Sequence, residues 1–454
     1  MTGRQAQVLL VTSASGFMVF LDVTVVNVAF PSFRDSFPDA SLAQLSWILS
    51  AYSIVFAALL VPAGRFADHA GRKRCFLAGV AVFTAASLAC ALAPSVAVLV
   101  AARVVQAAGG ALLIPTSQAL LMAEFDAARR TSALGLWGAS AAVAAAAGPP
   151  LGGLLVEALD WRLVFLVNLP VGLAAWVGGS ALLRESREDA GALPDAAGAA
   201  LAIGAVGALA AGIVQGPEWG WTDPRVLAAF AVAPLLGLWL VLRSLRHPAP
   251  VLELCLFRTR SFSVANAGTL LMGIAFFASL LANALFLTSV WGYSVLEAGV
   301  AMVPTPVAAA ACAALGGRLA ERHDPRLLIV PGALLTALGA LWLILEVGTT
   351  PAYVAQWLPG ALLLGSGIGL GYATLTSVAA VDLPAESFGV GSGINAVTRQ
   401  LGAVLGVATL IAVLGHPAPA ETAAAFDHGW TLVVVAALAA AVASLALTLP
   451  AARR

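Results

Sequence analysis

The run VLLVTSASGFMVFLDVTVVNVAFP, Val8 to Pro31, contains a single ionisable side chain, Asp22. A bilayer core is spanned by about 20 consecutive apolar residues in a helix. Apart from a closed barrel, the helix is also the only structure that satisfies its own backbone in lipid. The run is therefore read as a membrane span, and the pattern recurs down the chain. Fourteen such runs lie near 8–31, 43–63, 75–93, 96–123, 131–157, 162–183, 195–215, 226–243, 261–288, 297–316, 326–346, 353–378, 389–414 and 429–450. The fold class they define is an all-α polytopic membrane protein with 14 transmembrane helices.

Composition agrees with that reading. Of 454 residues, 61% are hydrophobic and 10% charged, with a formal net charge of zero. A soluble chain of this composition would expose apolar patches too large to stay monomeric. The charge balance excludes nucleic acid as a partner, because phosphate binding needs a clustered basic surface. Cys75, Cys90, Cys255 and Cys312 are widely spaced and have no histidine at ligand spacing, so neither a disulfide nor a metal framework is expected. All five histidines fall in or beside the polar connections, which leaves none to carry protons within a span. The amino-terminal run is too long for a signal-peptide core and reads as a retained first span.

Basic residues set the orientation. With the amino terminus in the cytoplasm, eighteen of the 23 Lys+Arg fall on cytoplasmic segments, among them Arg4, Arg65, Arg72, Lys73, Arg74, Arg318, Arg322, Arg453 and Arg454. Only Arg34, Arg162 and Arg225 fall outside, and Arg103 and Arg399 lie inside spans. Both termini are thus expected on the cytoplasmic side. A faint repeat, GRFADHAGRKR from Gly64 and GRLAERHDPRL from Gly317, closes the second helix of two related halves. The expected organisation is a six-helix bundle over 1–194, two inserted helices over 195–243 and a second six-helix bundle over 244–454. The segment HPAPVLELCLFRTR is expected to form a brief interfacial helix.

A carboxylate within a span costs about 2.5 to 3.5 kcal/mol on insertion scales. Helix rise places Asp22 about 12 Å and Arg103 about 10 Å below the outer surface. Opposite charges at one level are expected to be partners, directly or through water. Such a carboxylate can take a proton from one side and release it to the other if its exposure alternates. The alternative is that Asp22 only caps Thr24 or Asn27 or holds helices together. Arg399 lies about 15 Å from the inner end of its span, with no evident acidic partner.

Span five carries GASAAVAAAAGPPLGG, Gly138 to Gly153, where small residues permit close helix approach and Pro149 with Pro150 bends the helix. It is read as tight packing and as a hinge. The run GSGIGLG, Gly365 to Gly371, has no preceding strand and no lysine, so it is read as helix packing rather than a phosphate loop. Asp68 is either an orientation anchor or a latch to the other half. No enzyme constellation appears, so the chain is read as a non-enzyme.

With these residues in view, the chain resembles the major facilitator superfamily, and in particular its fourteen-span drug:proton antiporters of the EmrB/QacA type. The resemblance rests on LDVTVVNVAFP with Asp22, Thr24, Asn27 and Pro31, on GRFADHAGRKR with Gly64, Asp68, Gly71 and Arg72, and on RVVQAAGGA with Arg103, Gln106 and Gly110. The span-five motif is present as Gly138, Gly148, Pro149, Gly152 and Gly153, and DWRLVFLVNLPVG and NAVTRQLG are also similar. Ala144 and Ala108 replace glycines of the family pattern.

What the resemblance implies is a major facilitator fold and export of amphipathic compounds driven by inward proton flow. In it Asp22 and Arg103 carry proton coupling, while the Asp68 loop and the span-five motif govern conformation. Candidate cavity residues are Asn27, Trp47, Tyr52, Phe56, Gln106, Phe286 and Arg399. The absence of acids deep in spans nine to fourteen disfavours dicationic cargo. The expected setting is a bacterial inner membrane, with lipid, protons and a small amphipathic or lipophilic substrate, such as an antibiotic, as partners. A monomer is expected, with the proton gradient as energy source, no metal and no cofactor. A proton-coupled uptake permease and a non-transporting receptor are the alternatives.

Overall fold

The computed structural model describes residues 1–187, 194–320, 323–381, 383, 388–415 and 422–447. Glu321, Arg322, Arg453 and Arg454, used above for the repeat or the charge bias, lie outside them. The first half comprises α1 (Gly3–Val28), α2 (Phe30–Ser36), α3 (Leu42–Ala70), α4 (Arg72–Ala91), α5 (Val96–Glu124), α6 (Ala127–Ala158), α7 (Leu163–Leu166) and α8 (Asn168–Leu182). Next come α9 (Ala196–Trp219) and α10 (Pro224–Ser244). The second half comprises α11 (Arg260–Ser289), α12 (Val295–Met302), α13 (Pro304–Ala320), α14 (Arg326–Glu346), α15 (Leu358–Val381), α16 (Phe388–Leu414) and α17 (Thr422–Leu445). Fourteen helical segments are long and apolar enough to cross a bilayer.

Several spans are interrupted. The tenth divides at Val303, where Pro304 supplies no backbone donor. The sixth divides between α7 and α8 just before Asn168. The segment after the insert forms only a 3-10 helix, Leu254–Arg258. The last span begins at Thr422, seven residues before its apolar run, because the polar Asp427 and His428 continue its first turns.

Helices α1, α3, α4, α5, α6 and α8 pack among themselves, and so do α11 and α13 to α17. The halves meet where α16 lies along α3, where α12 lies on α6, and where α1 and α2 touch α11. Helix α9 rests on both α3 and α16, covering that seam, while α10 packs on α9 and turns Leu227, Leu235, Leu238 and Trp239 outward. The hairpin is pinned by buried Asp195, which accepts from Gly198 N and from Arg243 Nε, each at 2.7 Å.

The end of the molecule that carries the amino terminus is its basic face. There Arg4 bonds Glu124 at 2.9 Å and the Leu182 carbonyl at 2.7 Å, joining α1, α5 and α8. Gly71 separates α3 from α4 with φ 117°, a backbone conformation open to glycine and strained for other residues. The Glu185 carboxylate occupies the space a Cβ there would fill. It accepts from the Lys73 and Arg74 amides at 3.0 and 3.3 Å, which satisfies orphan donors of the first turn of α4.

In α15 the glycine run serves packing, as expected. Gly365 and Gly369 sit against the Thr305 and Ala309 carbonyls, and Gly367 sits against α14 at Gly332 and Thr336.

Candidate functional site: a buried carboxylate in a cage of donors

Asp22 is fully buried at 0% exposure, and Arg103 is 1% exposed. Arg103 Nη1 donates to Asp22 Oδ2 at 2.5 Å, so the two charges placed at one depth by helix rise are in direct contact. Asp22 Oδ1 accepts from Gln106 Nε2 at 2.8 Å and from Asn168 Nδ2 at 3.0 Å. The Ser87 hydroxyl accepts from the same two amides, at 2.8 and 3.3 Å. Arg103 is held in turn by the Ile48 carbonyl at 3.1 Å and Gln106 Oε1 at 2.6 Å. Its guanidinium lies over the Tyr52 ring, 4.1 Å from the centroid.

The cage draws on α1, α3, α4, α5 and α8, all of the first half. Each group touching the carboxylate donates a hydrogen bond, an arrangement that fits the ionised form, which only accepts. Thr24 and Asn27 do not share in it: Thr24 Oγ1 bonds the Leu21 carbonyl at 3.0 Å and Asn27 Nδ2 the Val23 carbonyl at 2.7 Å. The capping alternative for Asp22 is therefore not what the structure contains.

Sequence reading missed Asn168 and Ser87. Asn168 lies within DWRLVFLVNLPVG, a stretch that points to no role for it by residue type alone. A lone amide just after a helix break, one residue before Leu169-Pro170, was the available signal. Ser87 carries none, since serine occurs at many helical positions.

The cavity candidates divide. Gln106 belongs to the Asp22 cage. Tyr52 is buried beneath Arg103 and stacked on Phe56, with centroids 5.8 Å apart. Asn27 is buried near the junction, with its Oδ1 unpartnered, and Trp47 is partly buried on α3. Phe286, at 1% exposure, is the hub of an aromatic cluster with Trp291, Trp357, Phe426 and Trp430 inside the second half. Aromatic identity in a span does not say which face it occupies. Arg399, midway along α16, is partly exposed.

The span-five motif lies at the junction of the halves. A Cβ on Gly148 would collide with Thr24, and one on Gly152 would stand 3.1 Å from Val25. A Cβ on Gly153 would stand 2.6 Å from Leu296 Cα, and Gly299 of α12 sits against the Pro149 carbonyl. Beyond them Glu157 accepts from Ser294 Oγ at 2.6 Å and the Leu296 amide at 3.2 Å, bridging the halves on the face opposite the basic one. Toward the basic face α6 and α13 touch little, and Gly135, Gly138 and Gly317 have nothing within 4 Å of a Cβ position. This seam is closed at one end and parted at the other.

On the basic face Asp68 accepts from Arg72 Nε at 2.8 Å, four residues along its own segment. The bond to the segment leading into the second half is made instead by Arg65, to Glu253 and to the Pro250 carbonyl. Gly64 packs on Pro115 of α5, 3.3 Å from its Cβ position.

A helical chain that crosses the membrane fourteen times, with an ion pair sealed in one half and a seam open toward one face, belongs to the class of membrane transporters. A profile of the Major Facilitator Superfamily matches residues 12–407, and the chain belongs to that family. It is 37% identical over 418 residues to the multidrug resistance protein Stp of Mycobacterium tuberculosis, covering 91% of this chain and 76% of that one. It is 36% identical over 411 residues to the tetracenomycin C resistance and export protein of Streptomyces glaucescens, covering 90% and 76%. It is 35% identical over 470 residues to the cephamycin export protein CmcT of Amycolatopsis lactamdurans, covering 100% and 95%. Among solved structures, a bacterial homologue of the human lysosomal transporter Spinster shares the fold, with TM-score 0.68, 18% identity and 98% of each chain covered. The chain is a transporter and not an enzyme.

Proposed function

We propose that this protein is a proton-coupled exporter of amphipathic small molecules, antibiotics among them, working by alternating access in the cytoplasmic membrane of a bacterium. The single observation that carries the reading is the Asp22 carboxylate, sealed from both faces with each side chain that touches it donating a hydrogen bond. The names of its relatives, which are resistance and export proteins, support the direction of transport.

In this reading the basic face is cytoplasmic, both termini lie there, and cargo enters from that side. A proton on Asp22 removes the charge that holds Arg103, Gln106 and Asn168 in place. Arg103 then retains the Ile48 carbonyl and Gln106 but lacks a counter-ion, which is costly in a dry site. Cargo bound from the cytoplasm favours the form in which the Glu157 and Gly153 contacts with α12 part and the basic side closes, and cargo leaves to the outside. Asp22 takes its proton in that outward-open form, the cost at Arg103 is relieved by return to the form open at the basic side, and loss of the proton to the cytoplasm restores the cage. A potential of 100 mV contributes about 2.3 kcal/mol per charge, or roughly a fifty-fold gradient of neutral cargo per proton. The protein works as a monomer and uses no cofactor beyond the proton gradient.

The test is efflux of a panel of lipophilic dyes from reconstituted vesicles under an imposed pH gradient, wild type beside Asp22→Asn. The variant is expected to bind dye but lose gradient-driven transport. Equal coupled flux in both would remove Asp22 from the mechanism. Inward accumulation would support an uptake permease, and saturable binding without flux a receptor.

A further inference from the structure

Two arginines stand inside the spans, in opposite circumstances. Arg103 is enclosed and bonded to Asp22. Arg399 is partly exposed and has no hydrogen-bond or ion-pair partner among the described residues. Its backbone oxygen and the Tyr372 hydroxyl each lie 3.2 Å from the Cβ position of Gly273, so α11, α15 and α16 meet at this level. The Tyr372 hydroxyl is buried, has no hydrogen-bond partner and lies in the field of the Arg399 charge. Phe276 of α11 stands beside it, ring centroids 6.4 Å apart at 44°, and is also partly exposed.

The helices that carry Arg399 and Phe276 stand at the junction of the halves. Helix α11 is packed on α15, α16 and α17 and meets α1 and α2, while α16 lies along α3, so lipid does not reach it from these directions. An arginine serving as a structural tether would bond a carbonyl, and Arg399 bonds none among the described residues. The sequence also offers it no counter-charge, since no acid lies deep in any apolar run after Arg260. A solitary cation at this depth is costly and marks a site by default.

We infer that Arg399, the Tyr372 hydroxyl and the Phe276 ring form the cargo-recognition site, and that the preferred cargo is an amphiphile bearing one carboxylate on an apolar ring system. This rests on the exporter reading and names its substrate class. The planar guanidinium matches a carboxylate with two parallel donors, and Tyr372 supplies a third. Phe276 offers a face to the ring system. A carboxylate leaving as one proton enters moves two charges with the membrane potential, whereas a neutral cargo moves one.

The experiment uses three probes with one apolar body: pyrenebutyrate, its methylamide and the corresponding trimethylammonium compound. Each is titrated by fluorescence into the purified protein in nanodiscs, then offered for efflux in vesicles under an imposed pH gradient. Wild type is expected to bind the carboxylate at least about tenfold more tightly than the amide, the scale of one hydrogen bond to a charged group, and the cation more weakly still. Arg399→Gln is expected to erase the order and Arg399→Lys to keep it. A wild type that binds acid and amide alike overturns the inference, and so does an Arg399→Gln variant that retains the preference. If Arg399→Gln does not fold, the wild-type order and Arg399→Lys decide the matter. Coupled export of all three probes without anion preference would sink this inference alone. Anion-selective binding without gradient-driven flux would sink the exporter reading alone.

Discussion

At the scale of single residues, the structure turns on how a charge is kept in a place without water. Asp22 and Arg103 neutralise one another, and the amides of Gln106 and Asn168 satisfy the second carboxylate oxygen. Breaking a buried pair by removing one partner costs about 3 to 5 kcal/mol, because the other charge is left without compensation. Arg103→Ala is therefore expected to lower thermal stability in detergent sharply, and Asp22→Asn combined with Arg103→Gln to regain much of it. Melting curves of the single and double variants test this, and additive losses would show that the two side chains act independently. The charge at position 22 was legible in the sequence, and so was its standing level with Arg103. Its amide partner on α8 was not, because a helix five spans away reaches it only through packing.

At the scale of elements, α6 is the part that both halves share. Its glycines let the α1 backbone on one side and the start of α12 on the other approach within contact distance. A Cβ at residue 153 would stand 2.6 Å from Leu296 Cα, where no flexible side-chain tip can yield. Gly153→Val is therefore expected to hold α6 and α12 apart on the face opposite the basic one and to abolish transport while the bundles stay folded. Increased maleimide labelling of a cysteine placed at Glu157 would report the opening; unchanged labelling would show that the contact does not close that side. The motif was visible as a run of small residues, and its role in packing followed from that. Which helices it packs on did not, since small residues permit approach without specifying a neighbour.

At the scale of the whole molecule, the two seams between the halves differ. The α3–α16 seam is packed along its length and covered by α9, while the α6 seam is closed only through α12. The inserted hairpin thus belongs to one seam, and movement is expected at the other. Cysteines at Glu157 and Ser294, whose side chains are bonded here, are expected to cross-link with a short bifunctional reagent. The linked protein is expected to stop dye efflux, and a cleavable linker to restore it on reduction. Unimpaired efflux in the linked state would mean that this face need not open.

Hydropathy and one costly carboxylate were sufficient to specify fourteen helices and the position of the charge, because lipid imposes those constraints on each segment separately. The partners of that charge depended on tertiary structure. So did the burial of Phe286 in an aromatic cluster, the Arg65 link to Glu253, and the isolation of Arg399. Each depends on which face of one helix meets which face of another, and between helices in a bilayer that choice rests on shape and hydrogen bonding, which no single segment encodes.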